Sequence, residues 1–129
     1  MAESRSASVC LTAEVESLGS GRRFIEATLR SWHLSETRIE VVLLVANELM
    51  TNAIVHAQSA PAVSLAEDGP DLWVRVADTS SAEPVARGDM SEDAHGLGLM
   101  LVDALCDGWG CESSATGKTV WVRFTDAFA

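Results

Sequence analysis

The sequence predicts an α/β sandwich of the α+β kind, built on a mainly antiparallel sheet and not on a doubly wound parallel one. Three observations carry that expectation. The elements run strand, two helices, hairpin, loop, helix, hairpin; the later strands are joined in pairs by short turns; and one long helix has a sustained apolar repeat. The 129 residues fit a single domain over 1–129, long enough to bury a real core.

Taken in order, residues 8–15 mix β-formers with alternation and read as a first strand. Gly19, Ser20 and Gly21 then read as a break. From Arg22 to Trp32 the apolar residues Phe24, Ile25, Ala27, Leu29 and Trp32 suit an amphipathic helix. A second helix starts near Ser35, with Ser35 or Thr37 as its cap, and runs to about Ala57. Its apolar positions, Ile39, Val42, Leu43, Ala46, Leu49, Met50 and Ala53, recur at helical spacing. Pro61 opens a strand over Ala62–Glu67, and the turn Glu67-Asp68-Gly69-Pro70-Asp71 leads to its partner, Leu72–Ala77. Residues 79–95 are polar, with Pro84, Gly88 and many acids, and read as a loop. A helix from about Gly96 to Leu105 follows, and then two closing strands, Gly108–Ser113 and Lys118–Thr125.

Composition narrows the function. Hydrophobic residues make up 47% of the chain, which argues against disorder. The net charge of −10 repels phosphate backbones, so direct nucleic-acid binding is not expected. The charge is uneven: residues 1–35 hold four Arg (Arg5, Arg22, Arg23, Arg30) against four Glu, and Arg22–Arg23 is the one basic spot. No apolar run reads as a membrane span, since the longest is broken by Asn47, Glu48 and Asn52. The first ten residues have an early acid and no apolar segment, unlike a secretory signal. The cysteines, Cys10, Cys106 and Cys111, are odd in number with no CxxC pair. Neither a zinc site nor a disulfide framework is expected, and a reducing cytoplasm is the simpler setting.

Three features point to chemistry. On the long helix Glu48, Asn52 and His56 are four residues apart, which stacks them on one face, away from the apolar stripe. An amide oxygen such as that of Asn52 is a hard ligand for Mg²⁺, which takes its other oxygens from phosphates and water. Glu48, one turn away, can take a proton from an attacking hydroxyl. Taken alone, such a stripe is more often the solvated side of an amphipathic helix. Asp78, at a strand end, can accept a hydrogen bond from an exocyclic amine such as adenine's, although a turn-initiating Asp is the commoner case. Gly96-Leu97-Gly98-Leu99 opens a helix, where backbone N–H groups can approach phosphates; a plain hinge has the same composition.

Two motifs fail on context. Gly117-Lys118-Thr119 resembles the end of a P-loop, but Glu112 occupies the position of the first glycine and a strand follows. Gly96-x-Gly98 lacks the third glycine of a dinucleotide fingerprint. His33 and His95 have no partners at ligand spacing; His33 reads as a surface or helix-end residue.

Read in order, Glu48-Leu49-Met50-Thr51-Asn52-Ala53-Ile54-Val55-His56-Ala57, then Asp78, then Gly96-Leu97-Gly98-Leu99, resemble the N, G1 and G2 boxes of the gyrase/histidine-kinase/MutL (GHKL) ATPase superfamily. The closing Gly117-Lys118-Thr119-Val120-Trp121 is similar to its small bacterial members. The likeness is greatest to stand-alone ATP-binding proteins of the anti-sigma factor serine/threonine kinase type, and it covers roughly residues 20–124. The resemblance implies a Bergerat-type fold with helices on one face of the sheet and an ATP lid over 79–95. Asn52 would hold Mg²⁺, Glu48 would be the catalytic base, and Asp78 would bind the adenine amine. His56, Ser80, Leu97, Leu99 and Thr119 would line the ATP site, with Gly96 and Gly98 beside the phosphates. It further implies a homodimer that sequesters an alternative sigma factor and phosphorylates a STAS-domain anti-anti-sigma factor, with Arg22 and Arg23 as a candidate contact. In one place the sequence departs: the G1 box ordinarily reads D-x-G, and here Ser80 stands where glycine is expected. A glycine lets backbone lie close to the base or take positive φ. A nucleotide-binding, partner-sequestering module without phosphotransfer is the alternative that this departure motivates.

Overall fold

A computed structural model describes residues 4–79 and 94–128, with the side chains of 94–99 outside the description. The chain forms β1 (Ser6–Cys10), α1 (Ser17–Ser31), α2 (Glu36–Thr51) continued by a π turn (Asn52–His56), β2 (Ala62–Asp68), β3 (Asp71–Asp78), α3 (Ala94–Leu105), β4 (Gly108–Ser114) and β5 (Gly117–Phe124). The sheet has the order β1-β2-β3-β5-β4, and every neighbouring pair is antiparallel.

Strand alternation divides the sheet into two faces. Val63 and Leu65, Leu72, Val74 and Val76, and Val120, Val122 and Phe124 point to one side and are buried. Ile25 and Leu29 of α1, Ile39, Val42, Val45, Leu49 and Met50 of α2, and Val102 of α3 complete that core. The helices therefore cover one face. Ser64, Ala66, Trp73, Arg75, Trp121 and Arg123 occupy the other and remain half-buried.

Four expectations change in the structure. The first strand covers Ser6–Cys10 and not 8–15, because Leu11 leaves the strand and buries itself in the core. The glycines do not break the chain: α1 begins at Ser17 and includes Gly19, Ser20 and Gly21. Gly21 is needed for packing, since a Cβ there would lie 2.5 Å from the Met50 sulfur and 3.0 Å from Leu11 Cδ1. Third, α3 starts at Ala94, so the Gly96–Leu99 segment lies within the helix and does not open it. The fourth concerns the long helix. Ser35 caps it, accepting from the Arg38 N–H at 3.2 Å, but from Asn52 onward the bonding widens, with the Ala57 N–H donating to the Asn52 carbonyl at 2.9 Å.

The combined segment Glu36–His56 is also long and apolar enough to cross a membrane by length and composition alone, contrary to the sequence reading. Its apolar stripe is committed to the sheet, as the burial of Ile39, Val42, Val45, Ala46, Leu49 and Met50 shows.

Candidate functional site

Glu48 lies on the last turn of α2, and Asn52 follows at the junction with the π turn; both are half-buried. The Asn52 N–H donates to the carbonyls of Glu48 and Leu49, so the two side chains leave one face a single turn apart. Equal four-residue spacing does not extend to His56. The wider turn intervenes between Asn52 and His56, and His56 is exposed. Such π turns re-aim the side chains that follow them.

The end of β3 comes to the same region from the sheet, since α2 packs against β3. Ser59, just beyond the π turn, is buried. Its hydroxyl accepts from the Thr79 N–H at 3.0 Å and lies 3.2 Å from the Thr79 hydroxyl. The Ser59 N–H in turn donates to the Ala53 carbonyl at 2.9 Å. The exit of β3 is thereby tied to the end of the Asn52-bearing helix.

Asp78 is the last residue of β3 and points to the helix-covered side, with its side chain 2% exposed. Across the ladder it faces Lys118 of β5, whose ammonium lies 3.4 Å from Asp78 Oδ2 and whose side chain is 7% exposed. Removing two charges from water is costly unless they are paired, and the pairing fixes where the carboxylate sits. Gly117 makes this approach possible: with φ of 151° it runs against the Asp78 carbonyl so closely that a Cβ would collide with it. Thr119 is in register with Ala77 and so belongs to the opposite face. With Glu112, Ser113, Ser114 and Thr116 it lines an open cleft of about 370 Å³ that reaches Asp78 and Lys118.

Lys118 and Ser59 were not singled out as site residues from the sequence. Lys118 had a legible signal: it alternates with Val120, Val122 and Phe124, and so must share their face. Ser59 had none, because its role depends on where a π turn ends. Ser80 and residues 80–93 of the expected lid lie outside the described residues, as do the side chains of Gly96, Leu97, Gly98 and Leu99. Arg22 and Arg23 sit in the second turn of α1; Arg22 donates to Asn47 Oδ1 at 2.8 Å, and Arg23 to Ser20 at 3.3 Å.

The donor chemistry bears on a metal. Among the described residues no group of three or more His, Cys, Asp or Glu side chains could hold an ion by itself. One amide oxygen beside one carboxylate instead fits a magnesium ion that arrives with phosphate oxygens and keeps most of its waters.

A family model described as a histidine kinase-like ATPase domain matches residues 11–124. Among solved structures, the crystal structure of the RsbU and RsbW domains of Rv1364c from Mycobacterium tuberculosis matches with a TM-score of 0.73 at 16% identity. The match covers 94% of this chain and 32% of that one, so the chain spans about a third of that protein's length. At this identity the likeness is one of fold. No curated protein matches the chain.

Proposed function

Because the chain belongs to the histidine kinase-like ATPase domain family, we propose that it is an ATP-dependent protein serine/threonine kinase that sequesters an alternative sigma factor and phosphorylates a STAS-domain anti-anti-sigma factor. The observation that carries this reading is the Glu48–Asn52 pair, half-buried and one turn apart, beside the strand end that presents Asp78. Binding alone needs no carboxylate beside the metal-binding amide, whereas transfer to a hydroxyl needs a base.

In this reading the Asn52 amide oxygen holds the magnesium ion, and Asp78 accepts from the adenine amine. The backbone of the Gly96–Leu99 segment approaches the phosphates. Magnesium, arriving with the nucleotide, would supply charge neutralisation at the transferring group. Glu48 takes the proton of the attacking serine or threonine hydroxyl as its oxygen bonds to the γ-phosphorus and ADP departs. The fold likeness to a structure containing an RsbW domain supports the choice of partners. So does an open, largely apolar groove of about 440 Å³ where Arg22 meets Glu40, Leu43, Leu44 and Asn47.

The experiment is transfer of labelled phosphate from Mg-ATP to a cognate STAS-domain protein. Glu48→Ala is expected to lower the transfer rate by about 10²–10⁴-fold with nucleotide affinity retained. Equal transfer by the variant would remove Glu48 from the chemistry. A second reading, a sequestering module that binds nucleotide without transfer, is favoured by the grip of Lys118 on Asp78 and by Ser80 in place of the usual glycine. Nucleotide binding by calorimetry with no phosphoprotein, and partner binding that survives Glu48→Ala, would select it.

A further inference from the structure

On the helix-covered side, the ladder between β3 and β5 changes character at its last rung. Leu72 faces Phe124, Val74 faces Val122 and Val76 faces Val120, all of them apolar and buried. The next pair on that side is Asp78 with Lys118, and it is buried too. A buried ion pair can often be replaced by apolar residues of similar volume without loss of stability. Packing alone therefore gives no reason to end an apolar row in two charges. Their position gives one. Both residues line the open cleft of about 370 Å³ at the end of the sheet. The backbone around them is held as well: Gly117 packs against the Asp78 carbonyl, and Ser59 accepts from the Thr79 N–H at 3.0 Å. A ligand entering this end of the site meets an acceptor with a donor beside it.

Under the nucleotide reading above, on which this inference rests, Asp78 accepts from the base. A carboxylate alone selects adenine, because a 6-oxopurine would turn the lone pairs of O6 toward its negative charge. Lys118 removes that bar. Its ammonium has three donors and stands 3.4 Å from Asp78 Oδ2. We propose that Asp78 and Lys118 read purines as a pair, so that the site takes 6-oxopurine nucleotides such as GTP as well as ATP. Adenine offers N7 as an acceptor beside its N6 amine, a donor; guanine offers O6 beside N1–H in the same order. Sliding the base by one position along its edge keeps both contacts. The ammonium donates to N7 or O6, and the carboxylate accepts from N6–H or N1–H. Lys118 is thus the residue that widens the choice of phosphate donor.

Calorimetry on the full chain with the magnesium complexes of ATP, GTP and 6-thio-GTP tests it, since the triphosphate is common to all. GTP is expected to bind within about tenfold of ATP. The thio analogue keeps N1–H but offers Lys118 a poorer acceptor, so it should bind about tenfold more weakly than GTP. Lys118→Met should lose at least about tenfold more affinity for GTP than for ATP. Circular dichroism shows whether that variant folds; if it does not, the wild-type series decides alone. GTP bound about a hundredfold more weakly than ATP would overturn the inference and leave the nucleotide reading standing. So would a thio analogue bound as tightly as GTP, or a folded Lys118→Met that loses both nucleotides equally. A chain that binds none of them overturns both.

Discussion

At Asp78 and Lys118 a buried ion pair bears on stability. The two side chains are 2% and 7% exposed and 3.4 Å apart, so removing one leaves the other charged in the interior. Lys118→Met should therefore cost about 3–5 kcal/mol of unfolding free energy in urea titrations, with Asp78→Asn/Lys118→Met recovering part of the loss. A double variant no more stable than the single one would show that the pair is not coupled. If Asn52 holds magnesium as proposed, Asn52→Ala should weaken Mg-ATP binding at least tenfold, about 1.4 kcal/mol by calorimetry, with the thermal midpoint held. Unchanged affinity would remove Asn52 from the metal. Glu48, Asn52 and Asp78 were legible because a motif places them in a fixed order. The lysine opposite Asp78 could have been read from its alternation with Val120, Val122 and Phe124, but the serine that holds the strand end could not, since its role comes from a turn that the local pattern does not announce.

Among the elements, α1 ends in a way that the sequence only half discloses. The His33 N–H donates to the Arg30 carbonyl and the Leu34 N–H to that of Leu29, both at 3.0 Å, while His33 has a φ of 68°. This is the paired closure that usually has glycine at the left-handed position, and buried Leu34 supplies its hydrophobic contact. His33→Gly is expected to stabilise the protein by about 1 kcal/mol in chemical denaturation; a loss would mean that the imidazole makes a contact worth more than the strain. The opposite result belongs to Gly117→Ala, whose Cβ meets the Asp78 carbonyl: a large fall in thermal midpoint. The α2 helix and the β2–β3 hairpin were plain in the sequence because period and turn residues agreed. The start of α1 was misread because Gly21 looked like a breaker, when its missing Cβ is what lets α1 approach Met50. The π turn escaped for a related reason, since α-helical spacing was assumed throughout the segment.

Across the whole molecule, Arg5 ties the first strand to the distant chain end. Its Nε and Nη2 donate to the two oxygens of Glu67 at 2.9 and 2.8 Å, and its guanidinium lies 5.4 Å from the Trp32 ring and 5.6 Å from that of Phe128. Hydrogen bonding to Arg5 holds the Glu67 carboxyl below its ordinary value of 4.5. Its contribution is therefore complete above the unfolded pKa and fades as pH falls through the lower folded one. Thermal midpoints of wild type and Arg5→Met should differ by a constant amount near neutrality and converge in acid; a gap that is flat throughout would leave only packing on the rings as the source. The placement of β5 has a further consequence. Gly117–Phe124 is the last strand made, yet it lies between β3 and β4, so β4 has nothing to pair with until β5 has been synthesised. The chain through Phe124 must leave the ribosome before the sheet can close. Until then β3 presents an open hydrogen-bonding edge beside apolar side chains, the kind of edge that invites mispairing in an unfinished chain.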